Sequence, residues 1–144
     1  MSGPQGGGEP PFEVLDFALA AVSGVAVRGE VELATAPQLT AALDERIRGT
    51  SGPFVIDLST VDFLDSCGIH CLVRARALLG RDDRPIALVC PPGNVRRVLE
   101  LAALDELFPL YGSREELTAA LRRARSASRP GRSPFAPSPR TGRG

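Results

Sequence analysis

Phe54-Val55-Ile56-Asp57-Leu58-Ser59-Thr60-Val61-Asp62-Phe63-Leu64-Asp65-Ser66-Cys67-Gly68-Ile69 is the stretch that decides the fold. Pro53 precedes it, and its first five residues form a short apolar run broken only by Asp57. Its length and β-branched content predict a central strand buried on both faces. Ser59 to Leu64 mixes polar and apolar residues and reads as a loop. Asp65-Ser66 then opens a helix with Ile69, Leu72, Val73, Leu78 and Leu79 as its apolar residues. Gly80 and the charged run Arg81-Asp82-Asp83-Arg84 close it.

On the N-terminal side, residues 12–22 and 25–31 read as two strands with a turn at Ser23-Gly24. Val25, Val27, Gly29 and Val31 share one parity; Arg28, Glu30 and Glu32 share the other. Thr35-Ala36-Pro37 marks a helix start, with Thr35 as cap and Pro37 in the first turn, where a missing N–H costs nothing. Leu39, Leu43 and Ile47 make the apolar face, and Gly49 ends the helix. On the C-terminal side, Pro85 to Val89 is another apolar strand. Pro91-Pro92-Gly93-Asn94 is a turn whose Asn94 is placed to cap a helix carrying Val95, Val98, Leu99 and Leu101. Phe108 to Tyr111 is a short final strand at best. Ser113-Arg114-Glu115-Glu116 fits a capping box before a last helix with Leu117, Ala120, Leu121 and Ala124. Two strands followed by helix–strand alternation predict an α/β layer fold. The sheet is mixed, of four or five strands, with helices packed mainly on one face.

The chain has 144 residues, enough for one domain around one core. Residues 1–11 are rich in Gly and Pro, and 126–144 in Ser, Arg, Pro and Gly; both are expected to be disordered, leaving one domain over 12–125. No apolar run reaches about 18 residues, and the N-terminus lacks the features of a signal peptide. No membrane span and a cytoplasmic location are the expectations. The formal charge of zero hides an asymmetry: residues 1–121 hold 17 acidic and 10 basic side chains, whereas 122–144 hold seven Arg and no acid. A mildly acidic body does not suit direct nucleic acid binding. The basic tail suits an acidic partner, RNA or a lipid surface, or is a solvated end with Ser126, Ser128, Ser133 or Ser138 open to modification. The three cysteines, Cys67, Cys71 and Cys90, are expected as reduced, partly buried thiols.

Ser66 attracts attention because it stands where a strand–loop unit meets a helix. Its hydroxyl is positioned to cap backbone N–H groups, and a phosphate there would meet the positive helix end. Asp65 is suited to hold the loop through local backbone N–H groups, and Gly68 to allow close backbone approach. Taken alone, these residues read first as a helix-entry turn with no further role.

Three segments together resemble STAS domains. Val27 to Leu39 (VRGEVELATAPQL) looks like the family's second strand and first helix entry. Val55 to Ile69 looks like its signature of buried strand, loop and Asp-Ser-small-Gly-hydrophobic, and Pro92 to Asp105 is similar to its third helix and the turn after it. Within the family the chain looks closest to stand-alone anti-sigma factor antagonists. The resemblance implies a regulator that binds an anti-sigma factor with serine kinase activity and so frees a sigma factor. The kinase would phosphorylate the signature serine, Ser66, to end the complex, and a serine phosphatase would restore it. No catalysis, cofactor or metal of its own is implied.

The partner surface so implied comprises Glu32, Thr35, Asp65, Cys67, Gly68 and Ile69. Two positions depart from the family pattern: Glu32 stands where Asp is usual, and Cys67 where Ser or Thr is commoner. Glu32 keeps the charge and reaches one methylene further; a solvated strand-end charge is the other reading. Thr35 reads as a helix cap before a contact. An exposed Cys67 at a helix N-terminus would have a lowered thiol pKa and make the switch sensitive to oxidants.

Other chemistries fit less well. Cys67, His70 and Cys71 share a helix face, but zinc would need Cys90 to close the set. A serine hydrolase elbow needs G-x-S-x-G, and Leu64-Asp65-Ser66-Cys67-Gly68 lacks the first glycine, while the sole histidine, His70, lies along the same helix. Gly6-Gly7-Gly8 has no strand before it to make a phosphate cradle. The rival within the fold is a STAS-like module that binds a partner without a phosphorylation switch.

Overall fold

The computed structural model describes residues 11–126 and 133–137. The expectations of disorder at residues 1–10, 127–132 and 138–144 lie outside the described residues, as do Ser128, Ser138 and the Gly6-Gly7-Gly8 run.

The elements run β1 (Glu13–Leu19), β2 (Val22–Val31), α1 (Ala36–Arg48), β3 (Phe54–Leu64), α2 (Ser66–Gly80), β4 (Ile86–Val89), α3 (Asn94–Leu101), a 3-10 turn (Leu104–Glu106), β5 (Leu110–Tyr111) and α4 (Arg114–Ser126). The sheet order is β1-β2-β3-β4-β5. β1 and β2 are antiparallel and the remaining pairs are parallel, so the mixed sheet has five strands. Burial alternates across it. Phe54, Ile56 and Leu58 join the larger core with Val25, Val27 and Val31 of β2, Leu39, Leu43 and Ile47 of α1, Leu72 and Leu79 of α2, and Leu99 of α3. Val55, Ala87 and Val89 face the other way, where Leu117 and Leu121 of α4 cover them. Three helices on one face and one on the other match the expected layering.

Several local expectations are corrected. The first hairpin turns at Ala20-Ala21, with φ of 50° and 70°, and not at Ser23-Gly24. Gly24 lies inside β2, where a Cβ would come 2.7 Å from the Val55 carbonyl oxygen and 2.9 Å from the Phe17 ring. Its glycine serves close approach within the sheet, not a turn. The expected loop at Ser59 to Leu64 is instead the second half of an 11-residue β3. Two register irregularities against β2, at Ala26/Arg28 and Gly29/Glu30, break the two-residue period there. Thr60 Oγ1 donates to the Val27 carbonyl at 3.0 Å across the first of them. Gly93 with φ of 149°, not Asn94, occupies the cap position of α3. Half of the α4 capping box is present: Glu116 N donates to Ser113 Oγ at 3.1 Å, while the Glu116 carboxylate takes Gly112 N at 2.9 Å in place of Ser113 N.

Candidate functional site

β2 and β3 end together: Val31 pairs with Leu64, and Asp65 N donates to the Val31 carbonyl at 3.2 Å. The loops that follow both strands therefore leave the sheet side by side at the carboxyl ends of parallel strands, where α/β folds commonly place their sites. On one side lies Glu32 to Thr35; on the other, Asp65 to Ile69.

Asp65 is extended (φ −115°, ψ −165°) and caps α2. Its Oδ1 accepts from Cys67 N at 2.9 Å and Gly68 N at 3.4 Å. The cap is thus supplied by Asp65 and not by the Ser66 hydroxyl, correcting the sequence expectation. Ser66 is the first helical residue and is exposed. Its φ and ψ are fixed by the helix while its hydroxyl faces solvent. Gly68 is buried, and a Cβ there would meet Leu64 Cγ at 2.8 Å and Val31 Cγ1 at 2.9 Å. Its missing side chain lets the first turn of α2 lie on the ends of β2 and β3. Ile69 is half-buried and packs against the larger core.

The opposite loop is tied to itself. Thr35 holds the cap position of α1, but its side chain does not cap. Thr35 Oγ1 donates to the Glu30 carbonyl at 2.7 Å and accepts from Glu32 N at 3.1 Å. Glu32 Oε1 accepts from Ala34 N at 2.6 Å. The Glu32 carboxylate thus folds back on its own loop, as the shorter Asp65 does on its helix entry. Glu32 and Thr35 are both half-buried.

Cys67 follows Ser66 in the first turn of α2 and is half-buried. Its thiol pKa is raised from the usual 9.0, by burial first and then by the charges of Asp65, Cys71 and Glu32. This runs against the expectation of a lowered thiol pKa at the helix N-terminus: burial, joined by the nearby carboxylates, favours the protonated thiol. Cys71 is buried, with Sγ 3.6 Å from the Ala36 carbonyl, and Cys90 is buried with its pKa pushed up to about 11 by desolvation. Among the described residues no three His, Cys, Asp or Glu side chains gather as a metal site.

Two large apolar residues near these loops in sequence are exposed. Leu33 is 76% exposed between Glu32 and Thr35, and Phe63 is 49% exposed three residues before Ser66. Phe63 was hidden by the misread loop. The signal for Leu33 was its place beyond the last alternating residue of β2 and before the first apolar position of α1.

The description "STAS domain" matches residues 20–117. The chain is 30% identical over 104 residues to the anti-sigma-F factor antagonist RsfB of Mycobacterium tuberculosis, covering 72% of this chain and 84% of that protein. It superposes with a TM-score of 0.68 and 34% identity on the crystal structure of an anti-sigma factor antagonist from Mycobacterium paratuberculosis, covering 76% of this chain and 93% of that one. The unphosphorylated form of the anti-sigma factor antagonist SpoIIAA shares the fold, with a TM-score of 0.62 at 18% identity, over 83% of this chain and all of that one. The fold and sequence together define a STAS domain. The chain belongs to the anti-sigma factor antagonist family. Among the described residues no helix is long and apolar enough to cross a membrane.

Proposed function

We propose that this chain binds an anti-sigma factor through the surface around Ser66 and thereby releases a sigma factor in the cytoplasm. The anti-sigma factor is also the serine kinase that phosphorylates Ser66 and ends the complex; a serine phosphatase reverses the step. The chain itself acts by binding, not by catalysis, and needs no metal or cofactor.

The observation that carries this reading is the exposed Ser66, held at the first position of α2 by the Asp65 cap. Leu33, on the neighbouring loop, supplies apolar contact area; Asp65, Glu32, Thr35 and Cys67 form the polar part of the surface, and Gly68 and Ile69 support it from beneath. A phosphate on Ser66 would add about −1.5 to −2 charges to this surface. The Cys67 and Gly68 amides already serve Asp65. The phosphate therefore projects outward beside two carboxylates and does not settle into an empty anion site. A penalty of about 2–4 kcal/mol from repulsion and desolvation weakens binding roughly 30- to 1,000-fold.

The test combines affinity capture of the anti-sigma factor with a phosphorylation assay. Wild type and Ser66→Ala should both capture an anti-sigma factor of ATPase fold, and Ser66→Asp only weakly. Incubation of that factor with ATP should then place phosphate on Ser66 alone. Phosphate at another residue, or none, would leave partner binding without this switch; equal capture by all three proteins would remove Ser66 from the interface.

A further inference from the structure

The second face of the sheet has an occupant besides α4. Ser133 to Pro137, far into the Arg-rich tail, returns to the body of the domain. Phe135 packs against the cluster of Val55, Ala87, Val89, Leu117 and Leu121. Tyr111, at the end of β5, donates its hydroxyl to the Pro134 carbonyl at 2.6 Å. Ser133 Oγ accepts from Phe135 N at 3.1 Å, closing a local turn that directs the ring.

We propose that Ser133-Pro134-Phe135-Ala136-Pro137 is a tethered ligand for this face: a strap, built into the chain, that docks its aromatic ring on the α4 side of the sheet. Four observations support it. Phe135 is the only aromatic residue after Tyr111, and it is the one that docks. The flanking prolines, Pro134 and Pro137, fix φ and so lower the entropy lost on docking. The Tyr111 hydroxyl, at the end of the last strand, finds its acceptor in the strap itself, the Pro134 carbonyl at 2.6 Å. The reach suffices as well. α4 has 13 residues, a length of about 20 Å. The stretch from Ser126 to Ser133 spans at most roughly 25 Å, enough to run back along the helix. The strap lies on the face opposite α1 and α2. It thus acts independently of the Ser66 surface.

The full-length protein, isotope-labelled for NMR, provides the test. In wild type, the Phe135 ring should show contacts to methyl groups of the Val55, Val89, Leu117 and Leu121 cluster. Phe135→Ala should shift those methyl resonances, leave those of Leu43 and Leu72 unchanged, and lower Tm by about 4 °C. Tyr111→Phe removes only the hydroxyl and should shift the Pro134 and Phe135 signals with the fold intact. Unchanged cluster methyls and Tm in Phe135→Ala would overturn the proposal. So would contacts found only between differently labelled chains in a mixed sample, which would make a second copy the source of the strap.

Discussion

Arg114, in the first turn of α4, places Nε 2.5 Å from Oδ2 of Asp57 in the middle of β3. Asp57 is the one buried charged residue of the core among the described residues. Its Oδ1 accepts from both Ser59 N at 2.8 Å and Ser59 Oγ at 2.6 Å, so both oxygens are engaged. The Arg114 guanidinium also lies 3.8 Å from the centre of the Phe17 ring. One carboxylate thereby joins the central strand, the last helix and, through Phe17, the first strand. Arg114 and Ser59 are open to water and can be hydrated once the carboxylate is gone, so Asp57→Ala should cost about 1–2 kcal/mol. Arg114→Ala leaves the buried Asp57 carboxylate without its cation and should cost more, about 3 kcal/mol. Urea unfolding of the two variants measures both; equal, small losses would deny the pair a structural role.

Gly68→Ala should destabilise the fold although alanine favours helices. The new methyl would sit within 3 Å of Leu64 and Val31. Overpacking of this kind costs about 1–3 kcal/mol, against a helix-propensity gain of about 1 kcal/mol. A rise in the denaturation midpoint would show that the first turn of α2 has room to move.

Asp65 links stability to the acceptor. Asp65→Ala should lose about 1 kcal/mol through the vacated Cys67 and Gly68 amides, whereas Asp65→Asn should retain most of the cap. If the cap positions Ser66, phosphorylation by the cognate kinase should slow in Asp65→Ala and recover in Asp65→Asn. Equal rates in both variants would separate the cap from the transfer.

The thiols carry a pH signature. Cys67 and Cys90 both hold their protons more tightly in the folded chain, Cys90 up to about 11 against a usual 9.0. The folded state then binds more protons than the unfolded one above pH 9. Stability should be constant below pH 9 and fall as pH rises from 9 towards 11. Thermal melts of wild type and Cys90→Ala across that range test the sign: the variant should show a shallower decline. Alkylation of native Cys67 at pH 7.5 should be slower than in the unfolded chain.

The hairpin at Ala20-Ala21 has positive φ at both central residues, as a type I′ turn requires, without Gly or Asn at either. An L-residue in this region is strained by about 1–2 kcal/mol. Ala21→Gly should therefore stabilise the protein, with the gain reduced to about 0.5 kcal/mol by the greater freedom of glycine in the unfolded chain. A lower melting temperature would mean that the turn tolerates alanine at little cost.

That turn also shows where sequence reading stops. Leu39, Leu43 and Ile47 keep a helical period and were legible as one buried face. The five strands and their order of appearance followed from similar runs. Ala20-Ala21 carries no turn chemistry, whereas Ser23-Gly24 does, although its glycine answers to Val55 and Phe17 across the sheet. The second half of β3 was lost because burial there repeats every third residue, Leu58, Val61 and Leu64, under the register shifts. Within the site, Ser66 and Asp65 were visible as a helix entry, but the partners of Thr35 and Glu32 depend on a loop geometry that no spacing rule encodes. Asp57 looked like one polar residue in an apolar strand; its partner lies 57 positions away.

The strands of this sheet lie in space in the order in which they occur in the chain. No strand is inserted between two that are already paired. A chain growing from its N-terminus can therefore add each strand to an edge that is already present, and the sheet can assemble in the order of its manufacture. α4, made after all five strands, brings Leu117 and Leu121 onto the second face. A product interrupted after β5 would leave Val55, Ala87 and Val89 without that cover, an apolar flag by which quality control can tell an unfinished molecule from a finished one.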